Sequence, residues 1–253
     1  MNWSDGYYRQ QLSGDQQRIY DAILDAWSSG RTTVQLPAGV SPGTEMNPIV
    51  ECVAYDHPEI FWVDYYAYSI RRAFGLMRGA DTTLLFTNFY APEEIRSLQQ
   101  QVLSWRDRIL SQVNRRLPVK GQVWMLYDYL ARQVTYGNKG HAQSHTLLGC
   151  MLPRNHIAVC EGIAKGFKFL CDAAGLPCIF VSGDVPLQDG HGTERHAWNL
   201  VEVDGAFRHL DVTAELDNAH HHGRADQMNF LMTDQEMRQQ GYCWDGSLIL
   251  QCR

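Results

Sequence analysis

The chain is poor in the features that would assign it to several broad classes. None of its 253 residues falls in an apolar run long enough to span a membrane. Basic residues are not in excess: 22 Lys and Arg stand against 28 Asp and Glu, a net charge of −6, which argues against a general nucleic-acid-binding surface. The opening MNWSDGYYRQQ has no basic region followed by an apolar one, so no secretory leader is expected. A cytoplasmic location is the default expectation, with a secreted mature form left open. Seven cysteines, an odd number, are scattered along the chain, which does not suit a disulfide framework. No pair of them has zinc-finger spacing, and no calcium loop is recognisable. His220, His221 and His222 are consecutive, so they point in different directions, and no carboxylate or cysteine pattern completes a ligand set. They are expected in a solvated loop. No metal and no cofactor is expected.

What is present is an ordinary globular composition, 45% hydrophobic, enough for one large or two small domains. Chemistry concentrates between Val159 and Thr213. Ile163, Phe167, Leu170, Cys171 and Ala174 recur at helical spacing and Gly175 closes the pattern, which places Cys160 at the mouth of a helix. A thiol there meets the positive end of the helix dipole and unpaired backbone N–H groups. Both favour thiolate, and the same N–H groups can hold an oxyanion. Further on, Asp204–Gly205 between apolar alternations signals a hairpin. A two-residue loop sets Val203 opposite Ala206 and brings His196 and Asp211 to diagonal positions on one face; a three-residue loop separates them. In the first case Asp211 orients His196 and leaves one ring nitrogen for Cys160.

Cys160-Glu161-Gly162, His196-Ala197-Trp198-Asn199 and Asp211-Val212-Thr213 in this order resemble the transglutaminase-like superfamily, bacterial type, whose core is papain-like. The close resemblance covers roughly residues 119–245. Ile163 and Ala214 stand where that family usually carries aromatic residues. The resemblance implies that Cys160, His196 and Asp211 are catalytic. It implies an amide acyl group passing through a thioester on Cys160, with peptide hydrolysis, deamidation or transamidation as the outcome. A protein or peptide is the implied substrate. In papain-like enzymes a polar side chain upstream of the nucleophile helps bind the oxyanion, and Gln143, Ser144 and His145 are the candidates here. Trp198 and Glu161 are candidate cleft residues. The alternative is a non-catalytic protein- or peptide-binding module on the same fold. Oligomeric state is not legible.

The remaining chain supplies the frame. Ser13 with Gln16 forms a capping-box pattern opening a helix to Trp27; Thr32–Leu36 is β-prone; Asn47–Pro48 starts another helix. The aromatic run YDHPEIFWVDYYAYSI breaks at Pro58 and predicts a strand over 59–68, and 81–90 predicts a second that pairs with it. A similar Asp-His-Pro-Glu-Ile-Phe-Trp run precedes the core in some bacterial members of the family. These aromatics are expected in a core, ahead of a substrate-docking surface. A long helix is expected over 91–116, ended by Leu117–Pro118, and a further one over 119–134. Cys178–Ser182 reads as a strand, and the loop 184–194 with Gly190 and Gly192 as a plain surface connection, ahead of a lid. Thr233 with Glu236 caps a short helix, and an edge strand closes the chain. The fold class expected is α+β. Residues 1–118 form an α-rich region with aromatic strands, and 119–253 a transglutaminase-like core in which the cysteine-bearing helix packs on an antiparallel sheet.

Overall fold

Helix α1 (Gly14–Ser28) begins where Ser13 and Gln16 form the reciprocal capping box, and its apolar stripe buries Ile19, Tyr20, Ile23 and Trp27. A computed structural model describes residues 6–39, 45–75, 79–137, 140–152, 156–187 and 191–252. The chain divides into two units, Met1–Leu98 and Gln99–Arg253.

In the first unit, α1 is followed by β1 (Thr33–Gln35) and α2 (Asn47–Asp56), with Pro48 in the first turn of α2, where its missing N–H costs nothing. Strands β2 (Val63–Gly75) and β3 (Gly79–Asn88) complete an antiparallel sheet of order β1-β3-β2. The strand expected over 59–68 starts later and runs further. Pro58 cannot donate, Ile60 N–H closes a turn on His57 O, and ladder pairing begins only at Val63 opposite Asn88. Phe61 and Trp62 are buried, and the Trp62 indole donates to Trp27 O at 3.2 Å. Tyr66, by contrast, is 65% exposed. Asp56 is buried and accepts from Tyr8 N, Arg9 N and the Tyr20 hydroxyl at 3.1, 3.0 and 3.0 Å.

Helix α3 (Pro92–Leu110) starts in the first unit and ends in the second. It stops six residues short of the expected Arg116. The Asn114 side chain accepts from Arg116 N–H at 3.0 Å and Leu117 N–H turns back on Asn114 O, so local turn bonds replace the helical ladder.

The second unit carries the cysteine-bearing helix on a sheet. In chain order come α4 (Val119–Gln133), β4 (Thr135–Tyr136), a 3-10 turn (Ala142–His145), α5 (Leu148–Met151), β5 (Ile157–Ala158) and α6 (Cys160–Ala174). Then come β6 (Cys178–Pro186), β7 (Thr193–Val203), β8 (Ala206–Leu210), α7 (Leu216–His222), β9 (Phe230–Met232), α8 (Asp234–Gln239) and β10 (Cys243–Trp244). The five-stranded antiparallel sheet has the order β10-β6-β7-β8-β9. Helix α6 packs on β6 and β7 through Ile163, Phe167, Leu170 and Cys171, and each large apolar side chain buried there contributes about 1.5–3 kcal/mol. Gly175 ends it in the left-handed region, φ 73°.

Two readings of loops change. β6 and β7 pair out to Pro186 opposite Thr193, so their connection is only 187–192, and Gly190 lies outside the described residues. His220, His221 and His222 form the last turn of α7, not a loop; Gly223 at φ 69° closes it, and histidines suit the carbonyl end of a helix.

Candidate active site

The first turn of α6 is fixed by the segment before it. Val159 is the N-cap in extended conformation, and its N–H donates to Ser144 O at 3.0 Å. A Cβ on Gly162 would collide with the carbonyl oxygens of Ser144 and Thr146. Glycine is therefore required two residues after Cys160, because the 142–146 backbone lies directly on the helix. Cys160 itself is half-buried. Among the other cysteines, Cys243 is exposed and the remaining five are buried.

His196 and Asp211 are delivered by the hairpin. Asp204 and Gly205 both have positive φ, 53° and 77°, as a two-residue turn of right-handed twist requires, and Val203 pairs with Ala206. The ladder runs to Asn199 opposite Leu210 and then stops. Asp211 is held beyond it by its own N–H on Asn229 O at 3.0 Å, while its Oδ1 accepts from Thr213 N–H at 2.9 Å. His196 Nε2 lies 2.8 Å from Asp211 Oδ2. The imidazole's other partner is the Cys160 thiol. Nε2 thus donates to the carboxylate, and Nδ1 serves the sulfur.

Electrostatics favour a charged imidazole. Burial alone would lower the His196 pKa, but the charge and hydrogen bond of Asp211, with a further contribution from Cys160, outweigh it and lift the pKa to about 10. Burial would raise Asp211; His196, then Tyr242 and Thr213 N–H, hold it below the usual carboxylate value instead.

Further residues surround this pair with no motif to announce them. The Tyr242 hydroxyl donates to Asp211 Oδ2 at 2.7 Å, and its ring stands edge-on to His196 and Trp198. The Tyr136 hydroxyl is held by the thiol and the backbone N–H of Cys160, and burial followed by Cys160 raises its pKa. β4 reaches this position by pairing in parallel with β5, just before the cysteine. The only sequence signal for Tyr136 is its place just after the helix expected over 119–134; Tyr242 has none.

The remaining sequence candidates are placed as follows. Trp198 is 1% exposed and lies behind His196, with ring centroids 6.0 Å apart and planes at 21°. Glu161 is buried between Lys165 Nζ at 2.6 Å and His145 Nδ1 at 3.0 Å, so it ties the 142–145 turn to α6. Ser144 is buried; the Gln143 carbonyl accepts from Thr146 N–H and Oγ1. The structure brings Cys160, His196 and Asp211 together, with Tyr136 on the thiol.

One cluster of metal-ligand types occurs among the described residues: His209, Asp234 and Cys252, with ligand atoms within 4.8 Å of one another. Its geometry is that of a hydrogen-bond chain. The Trp198 indole donates to His209 Nδ1 at 2.9 Å, so Nε2 carries the proton and donates to Asp234 Oδ1 at 2.9 Å. Burial lowers the His209 pKa and outweighs Asp234, which pulls it the other way. A metal at Nε2 would need that nitrogen stripped while Nδ1 still accepts, which would demand an imidazolate.

Residues 107–212, a stretch that contains all three triad positions, match the family described as the transglutaminase-like superfamily. The matched stretch holds helix α6 and the strands β6, β7 and β8 of an antiparallel sheet, an α+β arrangement. Among solved structures the chain is similar to one described as a TGase, with 13% identity, TM-score 0.38, and coverage of 58% of this chain and 43% of that one. It is also similar to a candidate cysteine protease from Cytophaga hutchinsonii, with 13% identity, TM-score 0.39, and coverage of 63% of this chain and 65% of that one. A candidate protease from Parabacteroides distasonis is similar at 11% identity, TM-score 0.32, over 57% of this chain and 37% of that one. The chain thus spans between 37% and 65% of the length of these proteins. No curated protein matches it. No helix among the described residues is long and apolar enough to cross a membrane.

Proposed function

We propose that the protein is a cysteine-dependent acyl transferase or hydrolase that acts on amide groups of proteins or peptides. One observation carries the reading: a single imidazole, His196, joins a buried carboxylate 2.8 Å from one ring nitrogen to a thiol at a helix mouth on the other. In this reading His196 takes the Cys160 proton. The thiolate then attacks the amide carbonyl carbon, forming a C–S bond and moving the carbonyl π electrons to oxygen. Collapse breaks the C–N bond, the imidazolium gives its proton to the leaving amine, and a thioester remains. Water or a second amine then attacks the thioester, with His196 taking the attacker's proton. Asp211 orients the imidazole and stabilises its charge.

For the oxyanion we propose Tyr136 together with the Cys160 N–H. The phenol oxygen already sits against that N–H and the sulfur, and its raised pKa keeps it protonated as a donor. Gln143, Ser144 and His145 then form the support of the first turn of α6. A cytoplasmic setting remains our proposal on the same footing.

The test is iodoacetamide labelling of Cys160 across pH, read by intact mass and peptide mapping, in wild type and His196→Ala. Cys243, the exposed cysteine, is the internal reference. Labelling of Cys160 that outpaces Cys243 below neutral pH and slows in His196→Ala is the expected result. Cys160 labelling no faster than Cys243 in folded protein would replace the catalytic reading with a binding module.

A further inference from the structure

Asp211 Oδ2 accepts two hydrogen bonds from side chains. One comes from His196 Nε2 at 2.8 Å and the other from the Tyr242 hydroxyl at 2.7 Å. The direction of the second is fixed. Asn229 Nδ2 donates to Tyr242 Oη at 2.9 Å, so the phenol's own proton goes to the carboxylate. Asn229 also accepts the Asp211 N–H on its carbonyl, and does so from a left-handed conformation, φ 48°, that asparagine tolerates. The chain Asn229 to Tyr242 to Asp211 is therefore a closed device around one carboxylate. Each link polarises the next in a buried setting.

We infer that Tyr242 is a positioning residue of the triad, setting the basicity of His196 through the Asp211 oxygen that the two share. It rests on the reading of Cys160, His196 and Asp211 as a working triad. A hydroxyl donating to Oδ2 draws charge from the oxygen that faces the imidazolium. It thereby weakens the hold of Asp211 on the proton at Nε2, while the ring of Tyr242 keeps His196 in place at a centroid distance of 5.9 Å. The consequence is a His196 that gives up its proton to a leaving amine more readily than a lone aspartate partner would allow. Other titratable groups also face this pair. They are Cys160 on α6, Tyr127 on α4 and Tyr136 on β4, with Glu194 two residues before His196 and His209 behind Trp198. Cys160 is alanine in every protein compared below, and the substitutions that distinguish them leave the others unaltered.

The experiment reads His196 itself. In Cys160→Ala protein, where no thiolate adds to the imidazolium, histidine labelled at Cε1 is titrated by NMR, and His196→Gln assigns the signal. Adding Tyr242→Phe removes the hydroxyl and keeps the ring. The expected result is an upward shift of the His196 midpoint by about 0.5–1 pH unit, about half of what one hydrogen bond to a carboxylate is worth, because the imidazole feels it only through the shared Oδ2. Asn229→Gly keeps the backbone conformation and the carbonyl but removes the donor behind the phenol, and a smaller shift in the same direction is expected. If Tyr242→Phe does not fold, Asn229→Gly decides alone. A merely structural tyrosine would lower thermal stability and leave the His196 midpoint where it was, and an unchanged or lowered midpoint overturns the inference. Iodoacetamide labelling of the wild type separates the two failures: slow Cys160 sinks the triad, whereas fast Cys160 with an unmoved midpoint sinks only the role of Tyr242.

Discussion

Asp56 and Asp211 are the same device in two units. Each is a buried aspartate that accepts a tyrosine hydroxyl, from Tyr20 at 3.0 Å and from Tyr242 at 2.7 Å, together with backbone N–H groups. The third kind of donor differs. Around Asp56 the described donors are a phenol and two amides, whereas Asp211 also faces an imidazole whose far nitrogen meets a thiol. A buried carboxylate surrounded by such donors fixes geometry and nothing more. The same carboxylate beside a group that titrates, and that reaches a nucleophile, can take part in moving a proton. Glu215, buried and held by the Tyr127 hydroxyl and the N–H groups of Asp226 and Met228, belongs with Asp56.

The comparison breaks most visibly at the thiol. His196→Ala is expected to slow alkylation of Cys160 below neutral pH by roughly 10²–10⁴-fold, the range of a lost general base. Equal rates in the two proteins would put Asp211 in the same class as Asp56. Next, Asp56→Ala strands two amides and a phenol and is expected to cost about 3–5 kcal/mol in chemical denaturation, with the alkylation profile of Cys160 unchanged. A profile that moved with Asp56 would erase the distinction. For turnover, Tyr136→Phe is expected to lower the rate of p-nitrophenyl acetate cleavage by about 10–100-fold while Cys160 still alkylates rapidly. Slowed alkylation would assign Tyr136 to the thiol instead of the oxyanion.

Stability against pH sharpens the contrast further. His196 has a folded pKa of about 10, above its ordinary 6.5, so its contribution is fully present below the unfolded value and is lost as pH rises from there toward 10. Asp211 is shifted the other way, so its contribution is present above its ordinary 3.8 and disappears as pH falls through its lower folded value. Thermal melts of wild type and Asp211→Asn should therefore differ most between these limits and converge at both ends; a constant gap would deny the ion pair. The smallest expected effects are in Tyr20→Phe and Tyr242→Phe, each losing one hydrogen bond to a carboxylate and about 1.5–3 kcal/mol by denaturation. Only the second is expected to move the titration of His196.

Much of this site was legible along the chain, because its parts are local patterns. Helical spacing from Ile163 to Ala174 with Gly175 after it placed Cys160 at a helix mouth, and Asp204–Gly205 set the register that aligns His196 with Asp211. The capping pairs Ser13–Gln16 and Thr233–Glu236 were readable for the same reason. Misreadings fell where a non-periodic contact took over. Asn114 ended α3 early by bonding its own neighbours, the ladder with Asn88 moved the start of β2, and Gly223 allowed a helix through the three histidines.

The sequence by itself determined the helix, the hairpin and the order thiol, imidazole, carboxylate, since each depends on neighbours a few residues apart and on the side-chain periods of helix and strand. Only the tertiary structure decided what surrounds them. Tyr242 comes to Asp211 from 31 residues away, Trp198 is locked by His209 from the next strand, and Tyr136 reaches Cys160 through a parallel pairing of two-residue strands. Contacts of that kind leave no period in a sequence, because the partner is chosen by how strands stack and not by spacing along the chain.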